Sequence, residues 1–205
     1  MRISFIPFSL VLLASHMLGA ATIATNYTGV TSGGFGLSSA GARAVQVTAG
    51  FTGTVTSIDL WLSAQGPGNT AYLDAYLMAD NAGLPGAILE HIGNVQGNPS
   101  ANFMLANALA AGTTQVTAGA KYWIGGATGA GSNVAVVWGN GGTLLPEAGT
   151  TTGAVNGAWS LLGGNSTAVQ FQINGNPPAT GVPEPSTFAL TGTAALALLV
   201  RRVRN

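Results

Sequence analysis

Between residues 22 and 181 the side chains able to do chemistry are few. They are five carboxylates (Asp59, Asp74, Asp80, Glu90, Glu147), the single histidine His91, and four tryptophans (Trp61, Trp123, Trp138, Trp159). A polysaccharide hydrolase needs two carboxylates, one of them a general acid, and the sequence selects no pair among the five. A Ser-His-Asp triad would have to use His91, and no Gly-x-Ser-x-Gly elbow accompanies it. His91 follows Glu90 in a β-rich run, so the two side chains point to opposite faces, as a solvent-facing edge histidine would also sit. Asp74 falls between Tyr72 and Tyr76 on one face of its run, which is also an ordinary outward polar position of a strand. No His/Asp/Glu spacing matches a zinc or EF-hand pattern. Asp80-Asn81 beside Gly83 offers a loop calcium oxygen or two, or more economically an Asx-type turn. The absence of cysteine excludes disulfides, thiolate metal sites and Cys nucleophiles. The expectation is therefore no catalytic set, no metal site and no cofactor.

The elements that must position these residues repeat with a period of two. Ile58, Leu60 and Leu62 alternate with Asp59 and Trp61; Leu73, Ala75 and Leu77 alternate with Tyr72, Asp74 and Tyr76; Val169, Phe171 and Ile173 alternate with Gln170 and Gln172. Arg43 to Thr48, Tyr122 to Ile124 and Val134 to Trp138 are further β-rich runs. Phe103 to Ala111 admits a short helix but is read as strand plus loop. Gly/Pro/Asn clusters at 65–69, 81–86, 97–100, 139–142 and 163–165 separate the runs. An all-β fold is expected, a sandwich or jelly roll of antiparallel strands, flanked by an N-terminal signal helix and a C-terminal hydrophobic helix.

If the aliphatic positions form the core, Trp61, Tyr72 and Tyr76 lie on the outer face or at its rim. Flat rings beside Asn and Gln suit sugar contact, because an aromatic face covers the apolar face of a pyranose. The same rings would equally serve to fill the sandwich or cover an edge. Composition narrows the partners further. The stretch carries two cations, Arg43 and Lys121, against its five carboxylates, a net charge of −3. Charged residues make up 6% of the chain, against about 25% in average soluble proteins. Such a surface gives nucleic acid no electrostatic footprint. Asn26-Tyr27-Thr28 and Asn165-Ser166-Thr167 match the glycosylation sequon and are read as coincidence.

The two ends read as addresses. Met1-Arg2, the mostly apolar Ile3 to Leu18 and the small residues Gly19-Ala20-Ala21 form a secretory signal peptide over 1–21, cut near Ala20 and Ala21 or a few residues on. An exported β domain over 22–175 follows, then a stiff linker over 176–181. The last segment, 182–205, has three parts. Val182-Pro183-Glu184-Pro185 is extended and accessible, because proline fixes φ and disfavours helix before it. Phe188 to Val200 is uncharged; as a helix it would span about 20 Å at roughly 1.5 Å per residue, marginal against a bilayer core of about 30 Å. Arg201, Arg202 and Arg204 form a basic stop that stays on the cytoplasmic side.

Those three parts in that order resemble the PEP-CTERM sorting signal of Gram-negative bacteria. The resemblance implies recognition and processing of the tail by the membrane enzyme exosortase, transient tethering in the inner membrane, and delivery to the cell surface or extracellular matrix, where such systems accompany exopolysaccharide. An ordinary C-terminal membrane anchor is the plain alternative. In the middle, Gly83-Leu84-Pro85-Gly86 after a strand, with Gly119-Ala120-Lys121-Tyr122-Trp123 later, is similar to the choice-of-anchor surface domains. The expectation is an exported non-catalytic surface or matrix protein, partnered by exosortase and by exopolysaccharide. The alternative is a secreted polysaccharide-acting hydrolase using a carboxylate pair.

Overall fold

The computed structural model describes residues 20–28, 33–39, 41–100, 102–141, 144–163 and 168–178. The expected signal segment up to Gly19, residues 179–181 of the expected linker, the Val182-Pro183-Glu184-Pro185 motif, the Phe188 to Val200 run and the terminal arginines lie outside them. So do both helices expected at the ends. Asn176, expected to open the linker, is instead the last residue of a strand and pairs with Thr54. The described residues form strands and loops and no helix.

Thirteen strands follow in chain order: β1 (Ala21–Thr25), β2 (Gly33–Leu37), β3 (Arg43–Thr48), β4 (Gly53–Ala64), β5 (Tyr72–Asn81), β6 (Leu84–Gln96), β7 (Met104–Leu109), β8 (Gln115–Val116), β9 (Lys121–Thr128), β10 (Val136–Asn140), β11 (Glu147–Gly149), β12 (Ser160–Leu161) and β13 (Phe171–Asn176). They build two antiparallel sheets. The first is organised on the long strand β4, which carries β13 and then β10 along one side and β8 and then β7 along the other, with β1 beyond β13 and β2 beyond β10. The second runs β12-β11-β3-β9-β5-β6.

The period-two pattern sorts side chains between the layers. Ile58, Leu60, Leu62, Trp138, Phe171 and Ile173 of the first sheet share one buried apolar cluster with Val45, Val47, Leu73, Ala75, Leu77 and Ile124 of the second. The two sheets therefore face each other through these residues. Phe103 to Ala111 resolves as strand β7 with loop on either side. Tyr122 and Trp123 point oppositely, Tyr122 against the shared core and Trp123 into a second cluster on the outer face of the second sheet. Gly125 and Gly126 between them leave room on both faces: a Cβ would collide with Met78 at the first and with Leu73 at the second.

The turn between β5 and β6 lies just before Leu84-Pro85-Gly86. Asn81 pairs with Leu84 across the two-residue loop Ala82-Gly83, whose φ values of +52° and +85° fit a primed hairpin turn. Pro85 falls inside β6, which is tolerable because β6 is an edge strand. Asp80 supports this turn as the Asx reading expects, its Oδ2 accepting from the Gly83 amide at 3.1 Å.

The outer face of the second sheet is not bare. The segment after β11, residues 150–159, folds back over it. Trp159 packs with Ala44, Met78, Trp123 and Ala148, while Val155 joins Ala42 and Ala127. The Trp159 indole closes this loop by donating to the Val155 carbonyl at 2.9 Å.

Candidate functional site

At the rim of that covered patch, β5 and β6 bring Asp74, Tyr76 and His91 together. The pairing depends on a bulge. Asp74 lies opposite Asn94 and Ala75 opposite Gly93, but Tyr76 lies opposite His91, so Ile92 is an extra residue on β6. In unbroken register Ile92 would face Tyr76. Instead Ile92 packs toward the shared core and His91 takes the place beside Tyr76. Gly93 makes this turn of the backbone with φ +101° and nothing close to its Cβ position, so conformation and not space requires glycine there.

The three side chains interlock. The Tyr76 hydroxyl donates to Asp74 Oδ2. His91 Nε2 lies 2.6 Å from Asp74 Oδ1. The Tyr76 and His91 rings stack with centroids 4.7 Å apart and planes 15° from parallel. Burial, then the hydrogen bond to Asp74 and its negative charge, push the Tyr76 phenol up to about 12, so it stays a neutral donor at physiological pH. The His91 side chain is 57% exposed and that of Asp74 26%. Beside them lies an open groove of about 310 Å³. It is lined by Asp74, Tyr76, Ile88, Ala127 and Thr128 and by the loop from Gly153 to Asn156.

Chemically, this is a carboxylate held by two protein donors, one on each oxygen, next to a slab of two stacked rings. It can accept hydrogen bonds from hydroxyls placed in the groove. The Thr128 hydroxyl in the lining is already committed to the Leu37 carbonyl at 2.6 Å.

No protein-family model matches the chain, and no curated protein does.

The structure redistributes the residues singled out in the sequence. Trp61, on β4, belongs to the outer face of the first sheet, whereas Tyr72 and Tyr76, on β5, belong to the second. The three rings therefore form no common platform. Trp61 is moreover 9% exposed, because Tyr27 stacks on it with centroids 3.4 Å apart; the expectation of an open ring at Trp61 is corrected. Tyr72 is half-buried, its amide bonded to the Ser132 hydroxyl. Glu90 and His91 do point to opposite faces, and the Glu90 carboxylate accepts from the Ala111 amide.

The remaining carboxylates have separate partners. Asp59 takes the side-chain amides of Asn107 and Asn174. Asp80 takes Gln46, Trp123 and Gly83; although burial works to raise it, these three hydrogen bonds and the nearby Lys121 charge hold its carboxyl below the ordinary value. Glu147 is ion-paired with Arg43. Ala20 is exposed, and Ala21 opens β1. Asn26 of the first sequon is buried, its amide donating to Val169 O and its oxygen accepting from the Phe171 amide, both at 2.8 Å, so no glycan fits on it in this fold.

What sequence reasoning missed is the union of Asp74 with His91, seventeen positions apart. Its signal was the isolated glycine in a strand-like run, Gly93, a known mark of a bulge.

Proposed function

We propose that this chain is an exported, non-catalytic cell-surface or extracellular-matrix protein. It is sent out by its signal peptide, sorted and trimmed by an exosortase, and engaged with exopolysaccharide through a β-sandwich domain built from the two sheets. The observation that carries the sorting part is the sequence of three parts in the tail: Val182-Pro183-Glu184-Pro185, then the uncharged Phe188 to Val200, then Arg201, Arg202 and Arg204. The glycan part is supported by the groove at Asp74, Tyr76 and His91.

The competing hydrolase reading needs two carboxyl groups about 5–10 Å apart across a cleft. Asp80 shares the outer face of β5 with Asp74 but lies six positions along the strand, about 20 Å at roughly 3.3 Å per residue. Asp59 is on the other sheet, while Glu90 and Glu147 are buried and hydrogen bonded elsewhere. These placements favour the binding reading.

Intact mass of the protein from its native host, combined with cell fractionation, tests the proposal. A species ending near Pro183 to Ser186, found outside the inner membrane, is expected. A full-length tail retained in the inner membrane would refute sorting and make Phe188 to Val200 a plain anchor.

A further inference from the structure

The groove on the outer face of the second sheet is chemically specific enough to name a ligand class. We infer that it binds an uncharged sugar residue of a polysaccharide, with Asp74 accepting from adjacent hydroxyls and Tyr76 and His91 holding that carboxylate in place. The inference rests on the glycan part of the function proposed above and narrows it.

Charge is the first argument. The groove's lining contains Asp74 and no lysine or arginine. Elsewhere in the described residues, Arg43 is tied to Glu147 and Lys121 stands near Asp80. A uronate, sulfate or phosphate ester would face Asp74 with no lysine or arginine in the lining to meet it, on a domain of net charge −3. A cationic ligand would find this one carboxylate and no second acidic residue in the lining, its two oxygens each already taking a protein donor. What those oxygens retain is one accepting direction or so each, which suits neutral O–H donors.

Preorganisation is the second. A binding hydroxyl meets a carboxylate whose rotamer is already fixed from both sides, so little side-chain freedom is lost on contact. Shape is the third. A volume of about 310 Å³ lies at the small end of ligand sites, and the groove is open, as a site for one unit within a longer chain must be. Its mixed lining of Ala127, Ile88 and Tyr76 against Asp74 and Asn156 matches the mixed apolar and hydroxyl faces of a pyranose.

Affinity electrophoresis of the full-length protein in detergent supplies the test, with gels containing dextran, galactomannan, alginate or chitosan. Retardation is expected in at least one neutral polymer and in neither the anionic alginate nor the cationic chitosan. Asp74→Asn should weaken that retardation at least tenfold, as should Ala154→Trp, which adds bulk to another lining residue of the groove. Trp61→Phe, on the opposite sheet, should leave it unchanged. Thermal melts of each variant identify any that fails to fold, and the exposed substitution His91→Ala then serves in its place. Retardation in neither neutral polymer, preference for alginate or chitosan, or full binding by both Asp74→Asn and Ala154→Trp would each overturn the inference. Failure here leaves the sorting proposal standing, and a tail retained in the inner membrane leaves this one standing.

Discussion

Removing one partner of the ion pair between Arg43 and Glu147 should cost a large part of the domain's stability, because it strands a buried charge where the two sheets meet. Glu147 on β11 and Arg43 on β3 both point inward. Their side chains are 3% and 12% exposed. Glu147 Oε1 accepts the Val169 amide at 2.9 Å, and the Arg43 guanidinium carbon lies 3.3 Å from the centroid of the Phe35 ring. Both contacts cross from the second sheet to residues of the first. Arg43→Met therefore leaves a buried carboxylate without its cation, which costs about 3–5 kcal/mol. That is a substantial share of a total near 5–15 kcal/mol. Glu147→Gln keeps an acceptor for Val169 but strands the guanidinium, with a comparable cost. The double variant removes both charges, and with them the buried Arg43 Nε that has no partner among the described residues. It should lie within about 2 kcal/mol of wild type, far short of the sum of the singles. Urea unfolding followed by tryptophan fluorescence at pH 7 measures this cycle. Arg43→Met within about 1 kcal/mol of wild type, or singles that simply add, would refute the reasoning.

Three further outcomes are expected. Gly93→Val forces a β-branched residue into φ +101°, so it should cost about 1–3 kcal/mol and abolish the Tyr76–His91 stacking; a histidine Cδ2–H shift in NMR that matches wild type would count against the bulge. Because the Tyr76 phenol is raised to about 12 from the ordinary value of about 10, stability linked to it is fully present below pH 10 and is lost as pH rises toward 12. Tyr76→Phe should flatten that alkaline limb, and identical limbs would contradict the assignment. Asp80 has the opposite sign: its carboxyl is held below the ordinary value of about 3.9, so its contribution is present above that pH and fades as pH falls through the lowered value. Asp80→Asn should reduce the slope of melting temperature against pH below about pH 4, and an unchanged slope would remove Asp80 from the account.

Much of the layer pattern was legible because alternation is a direct imprint of a sheet with one buried face. Leu73, Ala75 and Leu77 could be placed inward from spacing alone, and the structure buries all three. Spacing cannot say which sheet a strand joins. Trp61 and Tyr76 share the outward phase yet stand on different sheets, since only long-range pairing separates β4 from β5. Nor does alternation reveal what covers an outer face. Tyr27 over Trp61 and the 150–159 loop over Trp123 come from segments with no periodic signal of their own. The candidate site was half visible: Asp74 and Tyr76 two residues apart on one strand. Its third member depended on one extra residue in β6, and a strictly regular register would have turned His91 away.

The first and last strands of the described domain, β1 and β13, meet in the fold. Ala21 pairs with Gly175 and Thr22 with Asn174, so the domain is entered and left through adjacent antiparallel strands, about 5 Å apart. Under the export proposed above, this juxtaposition restricts where a signal peptidase could cut. Ile23 is buried in the shared core, its carbonyl accepts from the Gly50 amide at 2.9 Å, and the Asn26 side chain bridges Val169 and Phe171. Cleavage after Ala20 or Ala21 leaves all of these in place. Cleavage a few residues on, after Thr25, would remove β1, empty the Ile23 site at about 2–5 kcal/mol as for a large core truncation, and expose the edge of β13 to pairing with another chain. The mature protein should therefore begin at Ala21 or Thr22, which the intact mass resolves to the residue. A mature start beyond Asn26 would mean that β1 belongs to the precursor alone, and that the exported domain closes this edge in some other way.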